Sequence, residues 1–189
     1  LGERTVDDKV LLLLNTSVGH SPALLWGARW VSQELSWLLW GALALSGVAA
    51  PGRWRRVAWR ALTSMALAWA LASAIKALWP VPRPFALGLG TAWVEQAANA
   101  SFPSVHTSLA FAVALSVWRS GPRSGVALVL LGCALLVAWS RIALGLHFPR
   151  DVLAGALLGA ACAWACAGRW PAPPADGATA GTEHSTPRG

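Results

Sequence analysis

Apolar residues in this chain gather into long blocks separated by short breaks rich in Arg, Pro or Gly. Blocks of about twenty residues match the length an α-helix needs to cross the hydrocarbon core of a bilayer. The first predicted span runs from about Val31 to Ala50. Its start is blurred, because Arg29 and Glu34 interrupt an apolar stretch that begins at Pro22. A basic hairpin containing Pro51, Gly52, Arg53, Arg55, Arg56 and Arg60 leads into a second span ending near Trp79. Three more follow: Ser104 to Trp118, Ser124 to Ser140, and Asp151 to about Gly168. Ahead of them, Val6 to Leu14 predicts a short amphipathic helix on the membrane surface, closed by a break from Asn15 to Pro22. The expected fold is all-α, a polytopic transmembrane helical bundle of about five spans plus this N-terminal helix. It forms one domain over residues 1–169, and residues 170–189, full of Pro, Gly, Ala and Thr, read as a disordered tail.

Composition agrees with a lipid environment. The 189 residues are 56 % hydrophobic and 12 % charged, with a mean hydropathy of +0.51, which excludes an ordinary soluble domain of this length. The net charge of +7 does not indicate nucleic acid, because the basic residues sit at block ends rather than along a polar face. Trp26, Trp30, Trp54, Trp59, Trp79, Trp118 and Trp170 also lie near block ends, where indoles anchor helices at the bilayer interface. Cys133, Cys162 and Cys166 fall inside apolar blocks without His or carboxylate at metal-ligand spacing, so they read as packing residues. Glu3, Asp7 and Asp8 precede the first Leu run, which lacks the basic start of a cleaved signal peptide; insertion is expected through the first span. No feature of the pattern specifies an oligomer.

Short loops rich in Lys and Arg stay in the cytoplasm. Arg53, Arg55, Arg56 and Arg60 mark one such hairpin, and Arg119 and Arg123 mark another two spans later, on the same side. The long connection from Pro80 to Pro103 and the turn from Arg141 to Arg150 are then expected to face outward together. Lys76, Arg83, Arg141 and Arg150 sit on that outward side against the rule. Basic residues kept there need another reason, and a connection this long is often functional.

Collecting the polar residues at the outward ends supplies one. Lys76, Arg83, Ser104, His106, Arg141, His147 and Asp151 converge on a single face, with the charge and donors to hold a multiply charged anion such as phosphate. His147 and Asp151 are four apart, and Pro149 suits the first turn of the last helix, so the carboxylate can reach back to the imidazole. A carboxylate on one ring nitrogen leaves the other as a nucleophile. His106 is then the candidate general acid. Ser104 and the amides at the start of the third span, at Val105, are candidate phosphate donors beside Lys76, Arg83 and Arg141. Glu95, Gln96 and Asn99 read as solvated loop residues, His20 as structural, and Gly155 with Gly159 as a small-xxx-small packing face.

Three motifs carry a family resemblance. Lys76 to Pro84 fits K-x6-R-P, Pro103-Ser104-Val105-His106 resembles P-S-G-H, and Ser140-Arg141 through His147 to Asp151 fits S-R-x5-H-x3-D. In this order they resemble the signatures of the type 2 phosphatidic acid phosphatase (PAP2) superfamily. The resemblance implies a helical membrane core, His147 as nucleophile with Asp151 as its partner, and His106 as general acid. It also implies Lys76, Arg83, Ser104, Val105 and Arg141 as the phosphate site, no metal and no other cofactor. Val105 departs from the motif, which has Gly there; a β-branched residue requires ordinary helical backbone at that point or a different amide presentation. The function implied is a metal-independent lipid phosphatase of a bacterial-type cytoplasmic membrane, its site facing the periplasm or exterior. The small chain is similar to members that convert undecaprenyl diphosphate to monophosphate. Phosphatidylglycerophosphate, phosphatidic acid or lipid A phosphatases of the same family are alternatives, as is a non-catalytic protein that binds or moves lipid phosphates.

Overall fold

A computed structural model describes residues 4–120 and 125–167, and every regular element within them is helical. The expected tail, Arg123 and the Ser124 start of the fourth span lie outside the described residues. The α-helices are α1 (Val6–Gly19), α2 (Pro22–Trp30), α3 (Ser36–Ala49), α4 (Gly52–Leu78), α5 (Val105–Ser120), α6 (Gly125–Ala143) and α7 (Pro149–Ala167).

A capping box starts α1: Thr5 Oγ1 accepts from the Asp8 amide, and the Asp8 carboxylate accepts from the Thr5 amide. The helix runs past the expected Leu14 to Gly19, because Asn15 does not break it. Its buried side chain instead donates to the carbonyls of Thr91 and Ala143, each at 2.9 Å, and accepts from the Thr91 amide at 2.8 Å. With Leu11 and Val18 also buried, α1 is packed on protein along one face. The helix expected from Val31 likewise begins earlier. Ser21 caps α2 with Pro22 in its first turn, and a π-helical turn, Val31–Leu35, carries the chain into α3.

Helices α4, α6 and α7 are long and apolar enough to cross a membrane. Leu128, Val129, Leu135 and Leu136 on α6, and Leu153, Leu157 and Trp164 on α7, are exposed on the protein surface, where lipid rather than water suits them. Helix α5 is shorter, 16 residues, and central: it packs against α4, α6 and α7 and buries residues on all sides, among them Thr107, Ser108, Ala112, Val113 and Ser116. Its seam with α7 depends on Gly155 and Gly159. A Cβ at Gly155 would lie 2.6 Å from the Ser104 carbonyl oxygen, and one at Gly159 would overlap the Ser108 carbonyl and lie 2.8 Å from the Ala112 nitrogen. Cys162 extends the seam into a buried cluster with Ala68, Leu109 and Ala112.

One end of the bundle carries the long connection between α4 and α5. It includes a 3-10 turn, Pro84–Leu87, and is tied to the α6–α7 turn by the Trp93 amide, which donates to the Leu144 carbonyl at 3.2 Å. The connection and the turn thus meet at one end, as the alternation of spans predicts. Arg53, Arg55 and Arg56 begin α4 at the opposite end.

Candidate active site

Two helix ends place His147. At the end of α6 the Leu146 amide donates to the Arg141 carbonyl and the Gly145 amide to the Ile142 carbonyl, a Schellman closure with Gly145 at φ +74°. A side chain at Gly145 would be strained by that φ and would also strike the Thr91 carbonyl. The His147 amide then bonds back to the Arg141 carbonyl at 3.2 Å. Pro149 opens α7, and Asp151 reaches back to accept from the Phe148 amide at 3.0 Å, the acidic half of a capping box.

The Asp151 carboxylate therefore has a structural task, and it does not bond His147 directly. Its Oδ2 lies 3.7 Å from Nδ1 of His147, beyond hydrogen-bond distance. Ser101 stands between them, its Oγ 2.6 Å from Asp151 Oδ2 and 3.2 Å from His147 Nδ1. On the other side of the ring, Arg83 Nη1 lies 3.3 Å from Nε2. A guanidinium only donates, so Nε2 is the bare nitrogen and Nδ1 carries the proton. Burial holds His147 well below its ordinary pKa, and the charges of Arg141, Arg83 and Lys76 push the same way against the raising pull of Asp151. The imidazole is neutral at pH 7.

His147 lines a cavity of about 180 Å³ together with Lys76, Arg83, Gln96, Asn99, Val105, His106 and Arg141. Lys76, in the last turn of α4, donates to the carbonyls of Ala100 and, at 3.1 Å, Ser101. Arg83 donates to Asn99 Oδ1 from Nε at 3.0 Å and from Nη2 at 2.8 Å, and to the Leu146 carbonyl at 2.9 Å. Its pKa is lowered by burial, against the attraction of Asp151. Arg141, 3 % exposed, donates to Ser32 Oγ at 2.6 Å and to Gln96 Oε1 at 3.4 Å, while its Nε has no partner. All these hydrogen-bond partners are neutral and the lining holds no carboxylate, so three cations face the cavity while Asp151, outside its lining, is the anion that attracts Arg83.

His106 and Val105 also line the cavity, with the His106 ring 5.7 Å from that of Trp40. Val105 opens α5 with ordinary negative φ, the first of the two conformations that its substitution for Gly allowed. The first-turn amides of a helix have no acceptor within it. Ser104 is set back from the cavity: it is fully buried, its Oγ accepts from Thr107 Oγ1 at 3.0 Å, and its amide donates to the Asp151 carbonyl at 3.0 Å. Asn99, exposed as a loop residue is expected to be, and the half-buried Gln96 also hold Arg83 and Arg141 in the cavity wall. Ser32, on the π turn, and Ser101 were not anticipated from the sequence. Among the described residues, no three His, Cys, Asp or Glu side chains cluster to hold a metal ion.

The PAP2 superfamily model matches residues 57–172, which include every residue lining this cavity. The chain belongs to the PAP2 superfamily. Among PAP2 relatives, the undecaprenyl-diphosphatase BcrC of Bacillus subtilis is 42 % identical over 72 residues, 38 % of this chain and 36 % of its own length. The chain thus spans little more than a third of that protein in the match. The decaprenylphosphoryl-5-phosphoribose phosphatase of Mycolicibacterium smegmatis is 34 % identical over 156 residues, 79 % of this chain and 81 % of that protein. In fold the chain is similar to crystalline LpxE of Aquifex aeolicus, with a TM-score of 0.75 at 23 % identity over 87 % of this chain and 96 % of that one. The apolar helices and this membership make the chain an integral membrane protein.

Proposed function

We propose that this PAP2 protein is a lipid phosphatase that passes a phosphoryl group through His147. The cavity carries the proposal: three cations with neutral hydrogen-bond partners line it together with a buried, neutral histidine whose bare Nε2 lies against Arg83. A phosphate supplies the negative charge the cavity lacks, with enough oxygens for Lys76, Arg83 and Arg141. The amides at Val105 and His106 add donors at the positive end of α5, whose start Ser104 anchors. Nε2 attacks phosphorus, the N–P bond forms as the bond to the leaving oxygen breaks, and His106 gives that oxygen its proton. Water then cleaves the phosphohistidine, releasing phosphate and restoring the imidazole. Asp151 stabilises the positive charge on the ring in both steps. This route calls on no metal or other cofactor.

An isoprenoid diphosphate, undecaprenyl diphosphate hydrolysed to the monophosphate, is the substrate of this proposal. Both relatives described above are named for polyprenyl substrates, which supports a polyprenyl carrier here. One observation favours a second reading, a phosphate on a prenyl-linked sugar. An open groove of about 1030 Å³, lined by Arg29, Gln33, Trp93, Glu95 and Gln96 among others, shares Gln96 with the phosphate cavity and offers both donors and acceptors to hydroxyl groups. The site is proposed to face outward from a bacterial-type cytoplasmic membrane, supported by the Arg-rich hairpin at the opposite end of the bundle. Phosphate release from undecaprenyl diphosphate, a prenylphosphoryl-sugar phosphate, phosphatidylglycerophosphate and phosphatidic acid, measured side by side, tests the substrate. Release is expected to be fastest from undecaprenyl diphosphate; a strong preference for either glycerolipid would overturn the polyprenyl assignment.

A further inference from the structure

A carboxylate that orients a catalytic imidazole ordinarily bonds it directly, and here it does not. Nδ1 of His147 and Oδ2 of Asp151 are 3.7 Å apart, and the hydroxyl that touches both belongs to Ser101. We propose that Ser101 is a positioning residue of the reaction, the link through which Asp151 orients His147 and answers the charge that develops on it. This rests on the phosphohistidine reading above.

The direction of each hydrogen bond follows from counting protons. Asp151 accepts at Oδ2 and Ser101 has one proton to give, so the 2.6 Å contact is Ser101 donating to the carboxylate. The lone pairs of Oγ are left for Nδ1–H at 3.2 Å, the same tautomer that the Arg83 contact at Nε2 requires. Two independent contacts on opposite sides of the ring therefore agree. As Nε2 attacks phosphorus the ring becomes cationic. The chain Nδ1–H to Oγ–H to carboxylate can then strengthen at each link without any proton changing owner.

Ser101 is also held where this role needs it. Its side chain is fully buried, its amide donates to the Val81 carbonyl at 2.7 Å, and its carbonyl accepts from Lys76 Nζ at 3.1 Å. The residue is thus pinned from the segment that carries Lys76 and Arg83 while its hydroxyl reaches the turn that carries His147. Asp151 cannot easily close the gap itself, because the same Oδ2 accepts from the Phe148 amide at the start of α7.

A double-mutant cycle in purified, detergent-solubilised full-length protein tests the proposal, with undecaprenyl diphosphate as substrate and single-turnover phosphoenzyme formation alongside steady-state rates. Ser101→Ala is expected to lower kcat and the rate of phosphoenzyme formation about 10- to 100-fold, with KM within about threefold of wild type. Asp151→Asn is expected to cost far less in the Ser101→Ala background than in wild type, because both substitutions cut one chain. A kcat within about threefold of wild type for Ser101→Ala would overturn the proposal, as would fully additive losses. If Ser101→Ala does not fold, Ser101→Cys, similar in shape with a weakly bonding thiol, carries the same expectations. Failure of the underlying reading gives a different result: a His147→Ala variant that still hydrolyses substrate, whatever Ser101 does.

Discussion

His147 uses both ring nitrogens, Nδ1 toward Ser101 and Nε2 toward Arg83, and it does so while 2 % exposed among cations. Its neutrality has a consequence for stability. The ordinary value is 6.5 and the folded value is lower, so below about pH 6.5 the unfolded chain takes up a proton that the folded protein refuses. Stability is expected to fall as pH drops through this window toward the lowered folded value. Thermal melting in detergent between about pH 7.5 and about pH 5 checks the sign. The melting temperature of wild type should decline more steeply with acid than that of His147→Asn, which cannot titrate; parallel curves would contradict a neutral buried imidazole. At this scale the sequence was legible where motif spacing spoke: Lys76, Arg83, Arg141, His147 and Asp151 stand within one small volume. Ser32, Gln96, Asn99 and Ser101 were not legible, because an isolated Ser, Asn or Gln has no pattern of its own. Ser32 bonds a residue 109 positions away, a partnership that only the folded chain creates.

At the level of elements, the site depends on how closely α5 and α7 approach, since the Ser104 amide is bonded to the Asp151 carbonyl across that seam. Gly159→Leu places a branched side chain against the Ser108 carbonyl and the Ala112 backbone. A loss of about 1–3 kcal/mol or more is expected from such overpacking, read as a lower melting temperature in detergent together with reduced phosphatase activity. Gly132→Leu on α6, where no atom lies within 4 Å of an added Cβ, should do far less. Hydrophobic blocks predicted the helices well but not their ends or irregularities. The extension of α1 beyond Leu14 depends on a long-range pairing of Asn15, and the π turn that aims Ser32 at Arg141 lies inside an apolar block that reads as plain helix. Glu34 and Arg29 do mark that region as unusual in the sequence.

For the whole molecule, the alternation of apolar blocks predicts that the long connection and the α6–α7 turn share one end, and the structure joins them there. The outward orientation proposed for this end rests on the Arg-rich hairpin at the other. A single Cys at exposed Ala98, in a variant lacking Cys133, Cys162 and Cys166, is expected to react with a membrane-impermeant maleimide from outside intact cells. Labelling only after the cells are opened would reverse the orientation. The identity of the lipid is the least legible property, because a lipid-facing groove uses the same Leu, Ala and Trp as any membrane-facing helix. The most direct measurement on the central claim is to quench the protein during turnover of radiolabelled undecaprenyl diphosphate under alkaline conditions, which preserve phosphohistidine, and to locate the label by peptide mapping. Label on His147, absent from His147→Ala together with hydrolysis, is the predicted result; label on any other residue, or hydrolysis retained by His147→Ala, would contradict it.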